Sequence, residues 1–300
     1  MFEVRLFGVT EVRTPAATLG ARDFGGVKQR HILQLLALYG ALSKAELAEH
    51  LWEGRPPAEY VATLESYVSL LRRRLDPAAP ARRSVLVTRT GGYALDADRV
   101  GTDTAEFDRL VGAAAGLPAP VALPLLARAV DLAGAPLLAG EDHRTWVVDA
   151  RQRHRARLVA AATRAAEHGL ALGDLRPADR FATHATELDP LAESAWRVRM
   201  SSHRAEGDRA GALRHYESCR RTLADELGIE PSAATQALFV TILRDDDPGI
   251  VAAVLAAARE LAAGGSRDSG GAVVALLTRA KWLVRQAGVR DRRMSAADTP

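Results

Sequence analysis

Between Tyr60 and Asp76 the chain reads YVATLESYVSLLRRRLD, and its polar residues are of a type that could read nucleic acid. Val61, Leu64, Val68, Leu71 and Leu75 recur at helical spacing and predict a buried stripe. The other side carries Thr63, Ser66, Ser69, Arg73 and Arg74, and Glu65 is the only acid between residues 60 and 75. Hydroxyls can bond base edges or phosphates, and a guanidinium can pair bidentately with guanine. A solvated helix face ordinarily mixes both charge signs; here residues 67–90 hold six arginines against Asp76 alone. Leu70, in the middle of that face, could meet a thymine methyl or a neighbouring protomer.

The elements that would position this face follow from changes of period. Residues 2–8 and 10–15 alternate as strands, with Gly8 between them. Residues 28–40 are helical, with Gly40 as C-cap. Ser43 and Glu46 form a capping box opening a short helix that ends near Trp52. Pro56 and Pro57 break the chain before the helix at 61–75, which Asp76-Pro77 stops. SVLVTRTGGYALD (84–96) predicts a β-hairpin with Gly91-Gly92 at its tip. Strands, three helices and a hairpin make the winged form of the helix-turn-helix. Arg82, Arg83 and Arg89 flank the hairpin, and Arg89, Thr90 and Gly91 would form the contact surface of a wing on the minor groove or phosphates. Lys28 and Arg30 at a helix start, with Ser43 and Trp52, are candidates for the DNA backbone; ordinary first-turn and core roles are the alternative.

From Asp103 the pattern is helical. Gly173-Asp174 recurs as Gly207-Asp208 and Ala178 as Ala212, a spacing of 34 residues that is the tetratricopeptide period. The fold expected is therefore mainly α with a small β component. A winged helix-turn-helix occupies 1–100 and an all-α tetratricopeptide-like domain 101–248. An Ala/Gly-rich extension, partly helical and partly disordered, takes up 249–300.

The 300 residues carry a net charge of +3, distributed as +3, −4 and +4 over those three segments, so positive charge is local. No apolar run of membrane-spanning length and no secretory signal is present, and the lone Cys219 fits a reducing cytoplasm and a buried helix position. Enzyme signatures are missing. There is no phosphate-binding loop, since Gly25-Gly26-Val27-Lys28 only superficially resembles one, no nucleophile elbow, and no zinc spacing among the eight histidines. Neither a cofactor nor a catalytic centre is expected. Asp245-Asp246-Asp247 reads as an acidic helix terminator rather than a metal site.

The segments LESYVSLLRRRLDP and VTRTGGYAL resemble the OmpR-type winged helix. DTAEFDRLV, RQRHRARLVAAATRAAEHGLALGD and ALRHYESCRRTLADELGIEPSAATQAL resemble the bacterial transcriptional activator domain. Together they are similar to the SARP family, the Streptomyces antibiotic regulatory proteins, over about residues 1–245. The resemblance implies an activator of secondary-metabolite genes that binds tandem direct repeats near the −35 element and recruits RNA polymerase through its sigma factor and other subunits. Two protomers would sit side by side on double-stranded DNA. It further implies base contacts from Thr63, Ser66, Ser69, Arg72 and Arg73, and a wing contact from Arg89. Leu70 and Ala62 depart from the polar or basic residues common there, which bears on sequence preference. No ATPase domain follows and no phosphoreceiver precedes, so neither nucleotide hydrolysis nor phosphorelay is expected to control it. Two other readings of the residues stand beside this one: a helical-repeat adaptor whose winged helix binds protein, and a regulator that senses a small molecule in its helical domain.

Overall fold

A computed structural model describes residues 1–77, 80, 83–141 and 144–245. The extension at 249–300, Asp246, Asp247 and Arg82 lie outside the described residues. The chain divides into two compact units, Met1–His168 and Gly169 onward.

The first unit opens with strands β1 (Phe2–Arg5), β2 (Glu11–Arg13) and β3 (Thr18–Leu19). Helix α1 (Val27–Tyr39), strand β4 (Leu42–Ser43), α2 (Lys44–Trp52) and α3 (Tyr60–Leu75) follow. Strands β5 (Leu86–Arg89) and β6 (Gly92–Leu95) form the hairpin, and β7 (Val100–Thr102) leads into α4 (Asp103–Ala113) and α5 (Ala119–Leu132). One sheet has the order β3-β2-β1-β7, with β7 parallel to β1, and the other has the order β4-β6-β5. Val4 and Val12 from the first sheet and Leu6 just after β1 are buried, as are Ile32, Leu35 and Leu36 of α1.

Local chemistry sets the boundaries. Gly8 and Gly40 adopt positive φ, 93° and 78°, and the Gly40 N–H caps Leu36 O. The Ser43 hydroxyl accepts from Glu46 N while the Glu46 carboxylate accepts from Ser43 N, the expected reciprocal cap. Asp103 was not singled out in the sequence, yet its buried carboxylate accepts from Leu6 N and Phe7 N at 2.8 Å each, joining the start of α4 to the end of β1. Residues 137–139 then run back along the same segment: Leu138 N donates to Leu6 O, and Ala139 N to Gly8 O.

Helix α6 (Thr145–Ala171) carries the chain into the second unit, which holds α7 (Leu175–Leu188), α8 (Glu193–Ala205), α9 (Arg209–Leu227) and α10 (Ala233–Arg244). The 34-residue repeat is real in three dimensions. Gly173 and Gly207 both turn through positive φ, and Asp174 and Asp208 are the N-caps of α7 and α9. Asp174 N donates to Gly169 O as Asp208 N donates to His203 O, and Ala178 and Ala212 are both fully buried. Small residues at these points let successive helices approach closely; a Cβ on Gly169 would stand 3.2 Å from Ala178. Cys219 is buried with Trp196 and Leu223, and burial pushes its thiol up to about 12, so it is inert. Among the described residues no helix is long and apolar enough to cross a membrane.

Candidate nucleic-acid interface

Helix α3 buries Leu64, Val68, Leu71 and Leu75. Val61 does not join them: it lies in the first turn of the helix and is exposed. On the opposite side Ser66, Ser69, Arg73 and Arg74 are exposed. Thr63 is half-buried and spends its hydroxyl proton on Glu59 O, one turn back. Leu70 has a structural role. It covers the loop before α1, where Gly25 (φ 92°) leaves room for its side chain, and a Cβ on Gly25 would come within 2.8 Å of it.

Arg72 sits differently from its neighbours. Its Nε donates to Leu86 O at 2.9 Å, its Nη2 donates to Thr88 Oγ1 at 2.8 Å, and its guanidinium carbon lies 5.9 Å from the Tyr93 ring centroid. These contacts fasten α3 to the β5–β6 hairpin and occupy the fork that would otherwise pair with a base. The hairpin turn is Thr90-Gly91 rather than Gly91-Gly92, because Arg89 pairs with Gly92 across the ladder. Arg89, Thr90 and Gly91 are all exposed there, with Gly91 at φ 76°. Lys44 N donates to Gly91 O at 2.9 Å, and Lys44 Nζ meets Glu65 at 2.6 Å, so α2, α3 and the turn are cross-braced. Tyr93, beneath both Arg72 and Lys44, was passed over in the sequence; its place in the alternating strand GYAL was the available signal.

The four backbone candidates prove to have internal partners. Lys28 Nζ donates to Leu51 O and stands 5.3 Å from the Trp52 ring centroid. Arg30 pairs with Glu141, Nε to Oε1 at 2.6 Å and Nη2 to Oε2 at 3.1 Å, with its side chain 17% exposed. The Ser43 oxygen is engaged in the cap of α2, and Trp52 is half-buried beneath Lys28. The structure thus brings Ser66, Ser69, Arg73 and Arg74 onto one exposed helix face and Arg89, Thr90 and Gly91 onto one exposed turn.

Replacing Arg72 by alanine removes two charge-assisted bonds to the hairpin, each worth about 1.5–3 kcal/mol when buried and less at this half-exposed site. Urea denaturation should show a loss of about 1–2 kcal/mol. Hydrogen exchange should quicken along β5 more than along α1. Unchanged exchange in β5 would mean the guanidinium is not holding the hairpin.

Helices α1, α2 and α3 with the β5–β6 hairpin, and an exposed basic helix face beside the hairpin turn, define a winged helix-turn-helix. Residues 26–95 match the model for the transcriptional regulatory protein C-terminal family, and residues 102–243 match the bacterial transcriptional activator domain. The chain is 32% identical to regulatory protein DnrI of Streptomyces peucetius, over 74% of this chain and 86% of DnrI. It is 34% identical to regulatory protein AfsR of Streptomyces coelicolor over 74% of this chain, a match spanning 22% of AfsR. Transcriptional regulator RedD of S. coelicolor is 29% identical over 81% of this chain and 71% of RedD. The solved structure of Mycobacterium tuberculosis EmbR in complex with a low-affinity phosphopeptide superposes with a TM-score of 0.70, at 24% identity, over 87% of this chain and 70% of that one. That likeness establishes the shared fold. The chain belongs to the SARP family of transcriptional regulators, an OmpR-type DNA-binding domain joined to a bacterial transcriptional activator domain.

Proposed function

We propose that this protein is a sequence-specific transcriptional activator of a secondary-metabolite gene cluster. In this reading it binds tandem direct repeats near the −35 element, with two protomers side by side, and recruits RNA polymerase. It carries out no chemistry of its own. The observation that carries the reading is the exposed Ser66, Ser69, Arg73 face of α3 lying beside an exposed, cross-braced wing turn. A helix N-terminal half bearing hydroxyls, with guanidiniums in its last turn, suits a major groove in which phosphates position and bases specify. Arg74 and Arg89 would supply phosphate contacts at its two ends, and direct repeats on one face of the duplex would be spaced about 10–10.5 bp, one helical turn. Family membership supports activation rather than repression.

Footprinting of the full chain on a genomic fragment library, across a salt series, tests this. Arg73→Ala is the informative variant because Arg72 is already committed to the hairpin. Wild type should protect tandem repeats, and the variant should lose about 1–3 kcal/mol of discrimination at one base position per repeat. Arg89→Ala should weaken binding evenly across sequences and reduce the salt slope by about one. Weak, sequence-blind binding by wild type would point instead to an adaptor or to a missing effector.

A further inference from the structure

In the second unit Asp179 of α7, His203 of α8 and His215 of α9 bring one ligand atom each to within 4.8 Å of one another. His203 is held in place by a neighbour. The His203 ring nitrogen Nδ1 lies 2.9 Å from Asp208 Oδ2. A carboxylate can only accept, so Nδ1 carries the proton and the lone pair of the neutral ring falls on Nε2. That nitrogen faces Asp179 Oδ1 at 3.9 Å, and this oxygen is itself buried with no hydrogen-bond partner among the described residues. The His215 ring stands 4.6 Å from the His203 ring, centroid to centroid. With the ring neutral, its lone pair and a carboxylate oxygen face each other across this gap, and a second imidazole stands alongside.

The surroundings are shaped for this arrangement. Asp208 is fixed as the N-cap of α9, accepting from Gly211 N at 2.8 Å. A Cβ on Gly211 would overlap both the Asp208 carboxylate and His203 Nδ1, so only glycine admits the pair. This is the outer carboxylate that orients a metal-binding histidine. Arg214 Nη2 lies 3.7 Å from Asp208 Oδ2, and Arg199 Nε lies 3.5 Å from Asp179 Oδ1 without forming a hydrogen bond. Arg199 Nη1 donates to Thr186 Oγ1, and its guanidinium sits over Trp196, so it retains partners if a metal takes its place beside Asp179.

We propose that Asp179, His203 and His215 bind a divalent late transition-metal ion, with zinc the reference case. Two imidazoles and a carboxylate suit zinc, copper or nickel over magnesium or calcium. Ligand atoms around zinc stand about 3.4 Å apart for bonds of about 2.1 Å, so side-chain rotations of about 1 Å close the present spacing. Three protein ligands leave a fourth position for water. The ion would join α7, α8 and α9 at one point and make the rigidity of the helical repeat depend on metal. This inference is independent of the DNA-binding reading.

The test is titration of the tag-free full chain with zinc(II), by calorimetry, and with cobalt(II), by visible absorption. One equivalent should bind with the spectrum of a four- or five-coordinate cobalt. Saturating zinc, at about a hundredfold excess over the dissociation constant, should raise the melting temperature by about 5 °C or more. His203→Ala and His215→Gln, on different helices, should each weaken binding at least tenfold, while His168→Ala leaves it unchanged; either variant suffices if the other fails to fold. Asp208→Asn should weaken binding less than loss of a ligand. No saturable binding below about 1 mM metal, or binding that persists undiminished in His203→Ala and His215→Gln, overturns the proposal and leaves the cluster as an ion-paired structural group.

Discussion

Glu141→Ala lowers the unfolding free energy by about 3–5 kcal/mol, the usual cost of stripping one partner from a buried ion pair. The Glu141 side chain is 5% exposed and collects four contacts from one face of α1. Arg30 approaches both carboxylate oxygens, His31 Nε2 lies 3.1 Å from Oε2, and Gln34 Nε2 donates to Oε1 at 2.6 Å. Removing the carboxylate leaves a nearly buried guanidinium and a fully buried imidazole without their acceptor. Glu141→Gln, which keeps an acceptor oxygen but not the charge, should fall between the two. Urea denaturation of the three proteins at pH 7 decides it; a loss under about 1 kcal/mol in the alanine variant would show that the cluster opens to water.

The same cluster fixes an acid limb. Burial alone would raise the Glu141 carboxyl, but the bonds from His31, Arg30 and Gln34 outweigh it and bring the group to about 2 from its ordinary 4.5. The folded pKa is the lower one, so this stabilisation is complete above about pH 4.5 and is lost as pH falls towards 2. His154, packed against Phe7 and Phe107, is held at about 4 by burial and by the Arg157 charge. Here the unfolded chain takes the proton first, so stability falls as pH drops from 6.5 to 4. Two adjoining windows of the same sign predict a steady weakening from pH 6.5 downwards. In Glu141→Gln the part below pH 4.5 should flatten while the part above it stays.

Gly92→Ala is the second large effect. Strand β6 passes so near β4 that a Cβ at Gly92 would overlap the Leu42 carbonyl oxygen and crowd Ser43 Cα. Both are backbone atoms held in the ladder by Leu42↔Tyr93 and Ser43↔Gly92 pairing, so neither can swing aside. The loss should be about 3 kcal/mol, the upper end of overpacking costs. It should also loosen the wing, because the carbonyl of the preceding residue, Gly91, accepts from the Lys44 N–H. Gly91→Ala is the control: its φ of 76° strains an alanine by about 1–2 kcal/mol, but nothing stands within 4 Å of the added carbon. Equal losses at 91 and 92, measured by thermal melts, would mean backbone strain rather than close approach governs the turn.

What the sequence disclosed was what periodicity and capping encode. The burial of Leu64, Val68, Leu71 and Leu75, the Ser43–Glu46 cap and the Gly-Asp repeat all stand where spacing placed them. Short edge pairings such as Leu42–Ser43 and Val100–Thr102 escaped, since two or three residues carry no period and form only because a partner strand is near. Charges were read by type, and type cannot say whether a guanidinium faces solvent or a partner. Arg72 and Arg73 are neighbours in sequence, yet one is tied to Leu86 O and Thr88 and the other is exposed. Arg30 looked like a phosphate ligand because Glu141 stands 111 positions away. Likewise, the histidines at 203 and 215 show no linear metal spacing; only the helical repeat brings them together.

The return of residues 137–139 onto the end of β1 has a consequence for how the protein could be dissected. The two family matches meet between residues 95 and 102, but the first compact unit runs on to His168, within α6. Arg151 donates to the carbonyls of Leu137 and Leu138, and Leu138 N donates to Leu6 O. The smallest fragment that preserves the winged-helix unit therefore includes α4, α5 and the first six turns of α6. A fragment ending near residue 100 would keep every side chain proposed to touch DNA, yet would lose the carboxylates of Asp103 and Glu141 that anchor β1 and α1. Between the helix proposed to read DNA and the start of α6 there is bracing in place of a hinge, so a partner pulling on the first turns of α6 would move the proposed recognition surface with it.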